Sequence, residues 1–210
     1  MQWISHAAPV SSCLSANGAV RSIAKAISVG TCAPDAALCE RAREVAQHAV
    51  AVGKVHAGDT WRDLAVHQQL AETLGTRLGP ALRPDFEWYY CRGAFFHNDA
   101  HYDARLFGVW CIEGPPMLLV FPRAALRVPV AQGSVVVFDP FEVHGVLAPG
   151  CRTYAANDYQ SAEASAFVGF ELDITPTVAD AFDIQAEVSG HVISSRTRIN
   201  ASSGAIESFG

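Results

Sequence analysis

Phe95-Phe96-His97-Asn98-Asp99-Ala100-His101-Tyr102-Asp103, read with Phe138-Asp139-Pro140-Phe141-Glu142-Val143-His144, places two His-x-Asp pairs ahead of a histidine that follows an apolar strand. Two neutral imidazoles and one carboxylate are the ligand set of a facial triad suited to Fe(II), which leaves three coordination positions open. The one-residue spacer of His-x-Asp brings both side chains to one metal from an extended segment or a bend, and the small, turn-tolerant Asn98 and Ala100 permit that bend. His97 and Asp99 are the preferred pair because they directly follow the aromatic strand and leave a loop before the next one. His101 and Asp103 remain the alternative. Under the first choice His101, Tyr102 and Asp103 lie at the rim, where they touch substrate or steady the ligands.

Outward from this segment, the chain from Phe86 onward alternates short aromatic and β-branched runs with Gly and Pro. The runs predict strands at 86–96, 106–112, 117–121, 126–130, 134–138 and 143–147, with turns at Gly114-Pro115-Pro116 and Gln132-Gly133. Later candidates are 152–155, 166–174, 187–194 and 196–200. Before Pro84 the pattern is helical. Val20, Ile23, Ala24 and Ile27 recur at helical spacing, and Leu38, Ala42, Val45 and Ala49 form a thin stripe after Pro34-Asp35. A second helix is expected to start at Asp59-Thr60, run through Leu64, Leu70, Leu74 and Leu78, and stop at Gly79-Pro80. The expected architecture is mainly β with N-terminal helices (α+β): a jelly roll with helices packed on an outer sheet face. Residues 1–84 form a mostly helical region, 85–175 the β core and 176–210 a C-terminal extension of one domain.

The 210 residues are half apolar and carry a net charge of −6, with a pI near 5.7. That balance offers no basic field for nucleic acid or an anionic membrane and favours a small-molecule or peptide substrate. No apolar run reaches the length of a membrane span and no signal-peptide pattern opens the chain, so a cytoplasmic protein is expected. Six scattered cysteines without a C-x-x-C spacing read as reduced thiols. Oligomeric state is not legible. His6, His48, His56, His67 and His191 have no partner residues that suggest a site.

From Tyr89 to about Arg152 the chain resembles the Fe(II)/2-oxoglutarate-dependent dioxygenase superfamily. The resemblance is carried by His97-x-Asp99 after the first core strand, the run Gly133-Ser134-Val135-Val136-Val137-Phe138, then His144-Gly145-Val146 and a downstream arginine. It implies a double-stranded β-helix, with Fe(II) held by His97, Asp99 and His144. It further implies 2-oxoglutarate as cosubstrate with O2, Arg152 binding the distal carboxylate, and oxidation of substrate with release of succinate and CO2. Tyr89 and Tyr90 lead into the motif, and strand alternation sends only one inward, where its hydroxyl can reach a bound carboxylate. Trp110 is a further candidate for the substrate wall. Two other readings are a cupin-type metalloenzyme that does not use 2-oxoglutarate and a non-enzymatic ligand-binding barrel.

Overall fold

The structure is a computed structural model that describes residues 1–9, 11–14, 20–46, 51–100, 104–160, 162–186 and 191–207. Ahead of the predicted core lie β1 (Gln2–Ser5), β2 (Ser11–Leu14), β3 (Val20–Ser22), β4 (Ala26–Thr31), α1 (Ala36–Ala46), β5 (Val52–Gly53), β6 (His56–Trp61) and α2 (Leu64–Leu78). The core continues with β7 (Leu82–His97), β8 (Arg105–Glu113), β9 (Met117–Phe121), β10 (Leu126–Val130), β11 (Ser134–Phe138), β12 (His144–Leu147) and β13 (Ser165–Asp173). α3 (Pro176–Ala181) and β14 (His191–Ile193) follow.

Eleven strands form one curled, predominantly antiparallel sheet in the order β1-β4-β11-β8-β13-β7-β12-β9-β10, with β5 and β6 also paired to β7. A small sheet, β14-β2-β3, stands apart from it. Side-chain alternation sorts the central strands into two cores. Val135, Val137, Trp110, Ile112, Val168 and Phe170 face one way, into a core shared with Leu38, Ala42, Leu70, Leu74 and Leu78 of the helices. Val136, Phe138, Phe107, Cys111 and Phe167 face the other way, into the curl. Burial on both faces explains why these strands read as continuous apolar runs rather than as alternating ones.

The N-terminal region departs from the helical expectation. Val20, Ile23, Ala24 and Ile27 fall on or between β3 and β4, and β4 hydrogen-bonds along β11, completing the main sheet on that side. Four apolar residues at helical spacing are outweighed here by the chance to bury β-branched side chains against an open sheet edge. α1 starts as expected, with the Asp35 carboxylate accepting from Leu38 N at 2.7 Å. α2 begins later than predicted. Residues 59–61 belong to β6, and Asp63 caps the helix by accepting from the backbone N–H groups of Ala65 and Val66. The expected strand at 152–155 is absent: Arg152 and Thr153 form a bend, followed by a 3-10 turn at Ala156–Tyr159. In place of the strand at 196–200 there is a single bridge, Ile199 to Ile206. Residues 47–50 and 187–190, including His48, lie outside the described residues.

β7, 16 residues long, joins the two halves of the curl by pairing with β13 through its first half and β12 near its end. Between Ala94 opposite Val146 and His97 opposite His144 the register slips, so that Phe95 and Phe96 together oppose Gly145. Gly93, at φ +63°, marks the change of partner, and a Cβ there would meet the Tyr159 ring at 2.6 Å. Replacing Gly93 by Ala is expected to cost about 1–3 kcal/mol through backbone strain and overlap. A lower urea midpoint at unchanged m-value checks this.

Candidate metal centre

His97 closes β7, His144 opens β12, and the two are directly opposed across the antiparallel pair. Directly opposed residues share a face of the sheet, and the bulge at Phe95-Phe96 is what turns His97 to the side of His144. The ring centroids stand 4.5 Å apart. The backbone N–H of Asp99 donates to the Pro140 carbonyl at 2.8 Å, folding the chain after β7 back toward the turn that precedes His144. Asp99 thereby faces both imidazoles, with Oδ2 3.3 Å from His144 Nε2 and Oδ1 3.8 Å from His97 Nε2. One candidate ligand atom from each residue lies within 4.8 Å of the others.

Each imidazole is oriented by its own chain. His97 Nδ1 donates to the Phe95 carbonyl at 2.7 Å, and His144 Nδ1 donates to the Glu142 carbonyl at 2.8 Å. With Nδ1 engaged on a backbone carbonyl, each ring turns its Nε2 toward Asp99, the orientation metal-binding histidines use. Burial alone would lower the His144 pKa, but the Asp99 carboxylate and the Glu142 backbone and side chain more than offset it and leave it raised. The Phe138 ring packs on His144 at 4.7 Å between centroids and fixes its tilt.

The turn from β11 to His144 is held by buried charge. The Asp139 carboxylate accepts from Phe141 N and Ala24 N and forms an ion pair of 2.6 Å with Arg21. Glu142 sits 3.4 Å from Arg123, which also donates to Ser11 Oγ and the Pro9 carbonyl. Burial pushes the Glu142 carboxyl up to about 7 despite that arginine.

A cavity of about 360 Å³ opens beside the triad. Tyr89 lines it and donates from its hydroxyl to Glu87 Oε2 at 2.5 Å. Tyr90 faces the helix side, where it stacks on His56. Trp110 also faces the helices: it is fully buried there, with Nε1 donating to the Cys32 carbonyl at 2.7 Å, so it is not part of the substrate wall. Arg152 is exposed on its bend and does not line the cavity. The strand that follows His144 is β13, which begins only at Ser165, and its side chain in the cavity is Phe167. Arg127 donates to the Cys151 carbonyl, and Arg123 is committed to Glu142 and Ser11. Among the described residues no Lys or Arg lines the cavity. His101, Tyr102 and Asp103 lie outside the described residues.

Sequence reasoning passed over Glu87. Its signal was present: it is the one charged residue from Phe86 to Cys91 and shares the parity of Tyr89 and Cys91, which also face the cavity. Asp139 was likewise passed over, although a carboxylate directly after a four-residue apolar strand end is rarely buried without a dedicated cation.

No family model matches the chain, and no curated protein matches it in sequence. Solved structures overlap it in part. A prolyl-4-hydroxylase from Pseudomonas putida is 19% identical with a TM-score of 0.41, over 71% of this chain and 93% of that one. The non-haem α-ketoglutarate-dependent epimerase SnoN of nogalamycin biosynthesis is 16% identical with a TM-score of 0.43, over 78% and 87%. A cupin domain from Bordetella pertussis is 15% identical with a TM-score of 0.29, over 42% and 80%.

In metal-free protein, replacing Asp99 by the isosteric Asn is expected to lower the His144 pKa, because it removes the carboxylate that favours the imidazolium. An NMR titration of the imidazole nitrogens checks this; an unmoved His144 would show that Asp99 does not set its protonation.

Proposed function

We propose that this protein is a non-haem Fe(II)-dependent oxygenase on a jelly-roll scaffold, a double-stranded β-helix, that oxidises a small organic molecule. The supporting observation is the convergence of His97, Asp99 and His144 at one edge of an apolar cavity, with both Nδ1 atoms engaged on backbone carbonyls. Two imidazoles and a carboxylate fit Fe(II), and the metal, when bound, supplies redox chemistry with dioxygen at its open positions. The protein's own part is to orient the ligands through Phe95 and Glu142, to support His144 through Phe138, and to keep bulk water from the reacting substrate. Five buried, unpaired cysteines suit a reducing compartment, and we assign the enzyme to the cytoplasm. Among the described residues no helix is long and apolar enough to cross a membrane.

The resemblance in sequence implies 2-oxoglutarate as cosubstrate, and the cavity wall tests that implication. A distal carboxylate in an apolar site needs a cation, best supplied as the planar fork of an arginine. Arg152, assigned that role from sequence, sits on the exposed bend, and the cavity presents Phe167 from β13 and Leu119 from β9. The described residues therefore do not fit the distal half of 2-oxoglutarate. This wall favours the cupin-type reading, in which the substrate supplies the electrons for dioxygen and both oxygen atoms enter the product.

Titration of metal-free protein with Fe(II) under anaerobic conditions tests the proposal. His97→Ala, Asp99→Ala and His144→Ala are each expected to weaken binding by more than about a hundredfold, beyond the range seen when only an outer partner of a ligand is lost. Circular dichroism should stay unchanged. Arg152→Ala should leave metal affinity as it was. Unaltered binding in the three ligand variants would remove the triad from the metal site.

A further inference from the structure

The cavity beside the triad shows what kind of molecule it recognises. An apolar void of about 150 Å³ holds benzene. At about 360 Å³ the cavity accommodates a ring bearing a short chain. Val109, Leu119, Val130, Val146 and Phe167 present hydrocarbon to it. Among the described residues, apart from the triad, one polar pair stands against that wall, Glu87 and Tyr89. The Tyr89 hydroxyl donates to Glu87 Oε2, and among the described residues Glu87 Oε1 has no hydrogen-bond partner. A second cleft shares Glu87, Tyr89 and Phe107 with the cavity and contains Arg83 and Arg105. Both arginines are committed elsewhere: Arg83 to Asp173 at 3.1 Å and Glu171 at 3.6 Å, Arg105 to Glu171.

We infer that the cavity takes a largely apolar small molecule through one hydrogen-bond-donating group, a hydroxyl or an ammonium, received by the Glu87 carboxylate, and that it rejects anionic ligands, 2-oxoglutarate included. An ionised carboxylate can only accept hydrogen bonds, so the partner that completes it must donate. A donor that is also a cation forms the stronger, charge-assisted bond. A ligand carboxylate would instead meet the charges of Glu87 and Asp99 across a wall that offers no Lys or Arg among the described residues, and His144 is already turned to Asp99, so the anion would be buried without a dedicated partner. The inference rests on the oxygenase reading only for the reaction that follows binding; the recognition itself belongs to the cavity.

Three probes of one shape separate the possibilities: 3-phenylpropylamine, 3-phenylpropan-1-ol and 3-phenylpropanoate, titrated calorimetrically into metal-free protein so that no probe is captured by metal. The amine and the alcohol are expected to bind at least about tenfold more tightly than the carboxylate, the size of effect one charge-assisted hydrogen bond produces. Glu87→Gln should erase the lead of the amine over the alcohol. Tyr89→Phe, which leaves Glu87 its charge and frees a second oxygen, should keep that lead. Anaerobic addition of 2-oxoglutarate to Fe(II)-loaded protein should give neither binding heat nor a visible charge-transfer band. A carboxylate that binds as tightly as the amine, a preference that survives Glu87→Gln, no binding by any probe, or a 2-oxoglutarate charge-transfer band would each overturn the inference. The ranking on unaltered protein decides the matter even if a variant fails to fold. Failure of the protein to bind Fe(II) would sink the oxygenase reading alone, because the ranking is measured without metal.

Discussion

A single strand, β7, must serve two halves of one curled sheet, and most of what is distinctive here follows from how it does so. Its first half runs beside β13 and carries Glu87, Tyr89 and Cys91 along the cavity; its end runs beside β12 and carries His97 to His144. A regular strand of this length could not turn from one partner to the other and still aim its last residue inward. The left-handed glycine at 93 and the extra residue in the register supply the turn, and the close approach of Gly145 to Phe96 leaves no space for a side chain where the strands are tightest. The cavity wall at one end of the strand and the meeting of His97 with Asp99 and His144 at the other are therefore set by the same backbone path.

Charge below the site is held at a cost and for a reason. Asp139 and Glu142 are both almost wholly buried, and burying carboxylates stabilises nothing unless the partners are in place. Arg21 and Arg123 are those partners, and Arg21 comes from β3 of the small sheet. The result is a rigid turn from Asp139 to His144 whose backbone carbonyl at Glu142 can hold an imidazole in one tautomer. Removing Arg21 would leave the buried Asp139 carboxylate without its cation at the head of the turn to His144, a loss of about 3–5 kcal/mol by the usual measure of broken buried pairs.

The strands at 117–121, 126–130 and 134–138 were legible to the residue, because apolar runs bounded by Gly114-Pro115-Pro116 and Gln132-Gly133 allow little else. So was the convergence of His97, Asp99 and His144, since residue type, order and strand context all point to it. The N-terminal strands were not, because Val20, Ile23, Ala24 and Ile27 satisfy a helical spacing while their partners, β11 and the small sheet, lie far along the chain. Arg152 misled for a related reason. Nothing local announces that the segment after Pro149-Gly150 bends outward and that the returning strand waits until Ser165. Parity alone could not separate Tyr89 from Tyr90; only the pairing of β7 with β13 decides which one faces the curl.

The end of β7 is also gripped from the far side of the sequence. The Phe96 N–H donates to the Ala201 carbonyl, the Tyr154 N–H to that of Ser202, and β14 lies alongside β2. During synthesis His97 and His144 therefore emerge well before the segment that clamps the end of β7, and a chain still being made holds them without their final backbone support. Contacts of such long sequence separation form late. The geometry that brings His97, Asp99 and His144 together is thereby completed only once residues 201 and 202, far along the chain, have folded back onto β7 and the segment after β12.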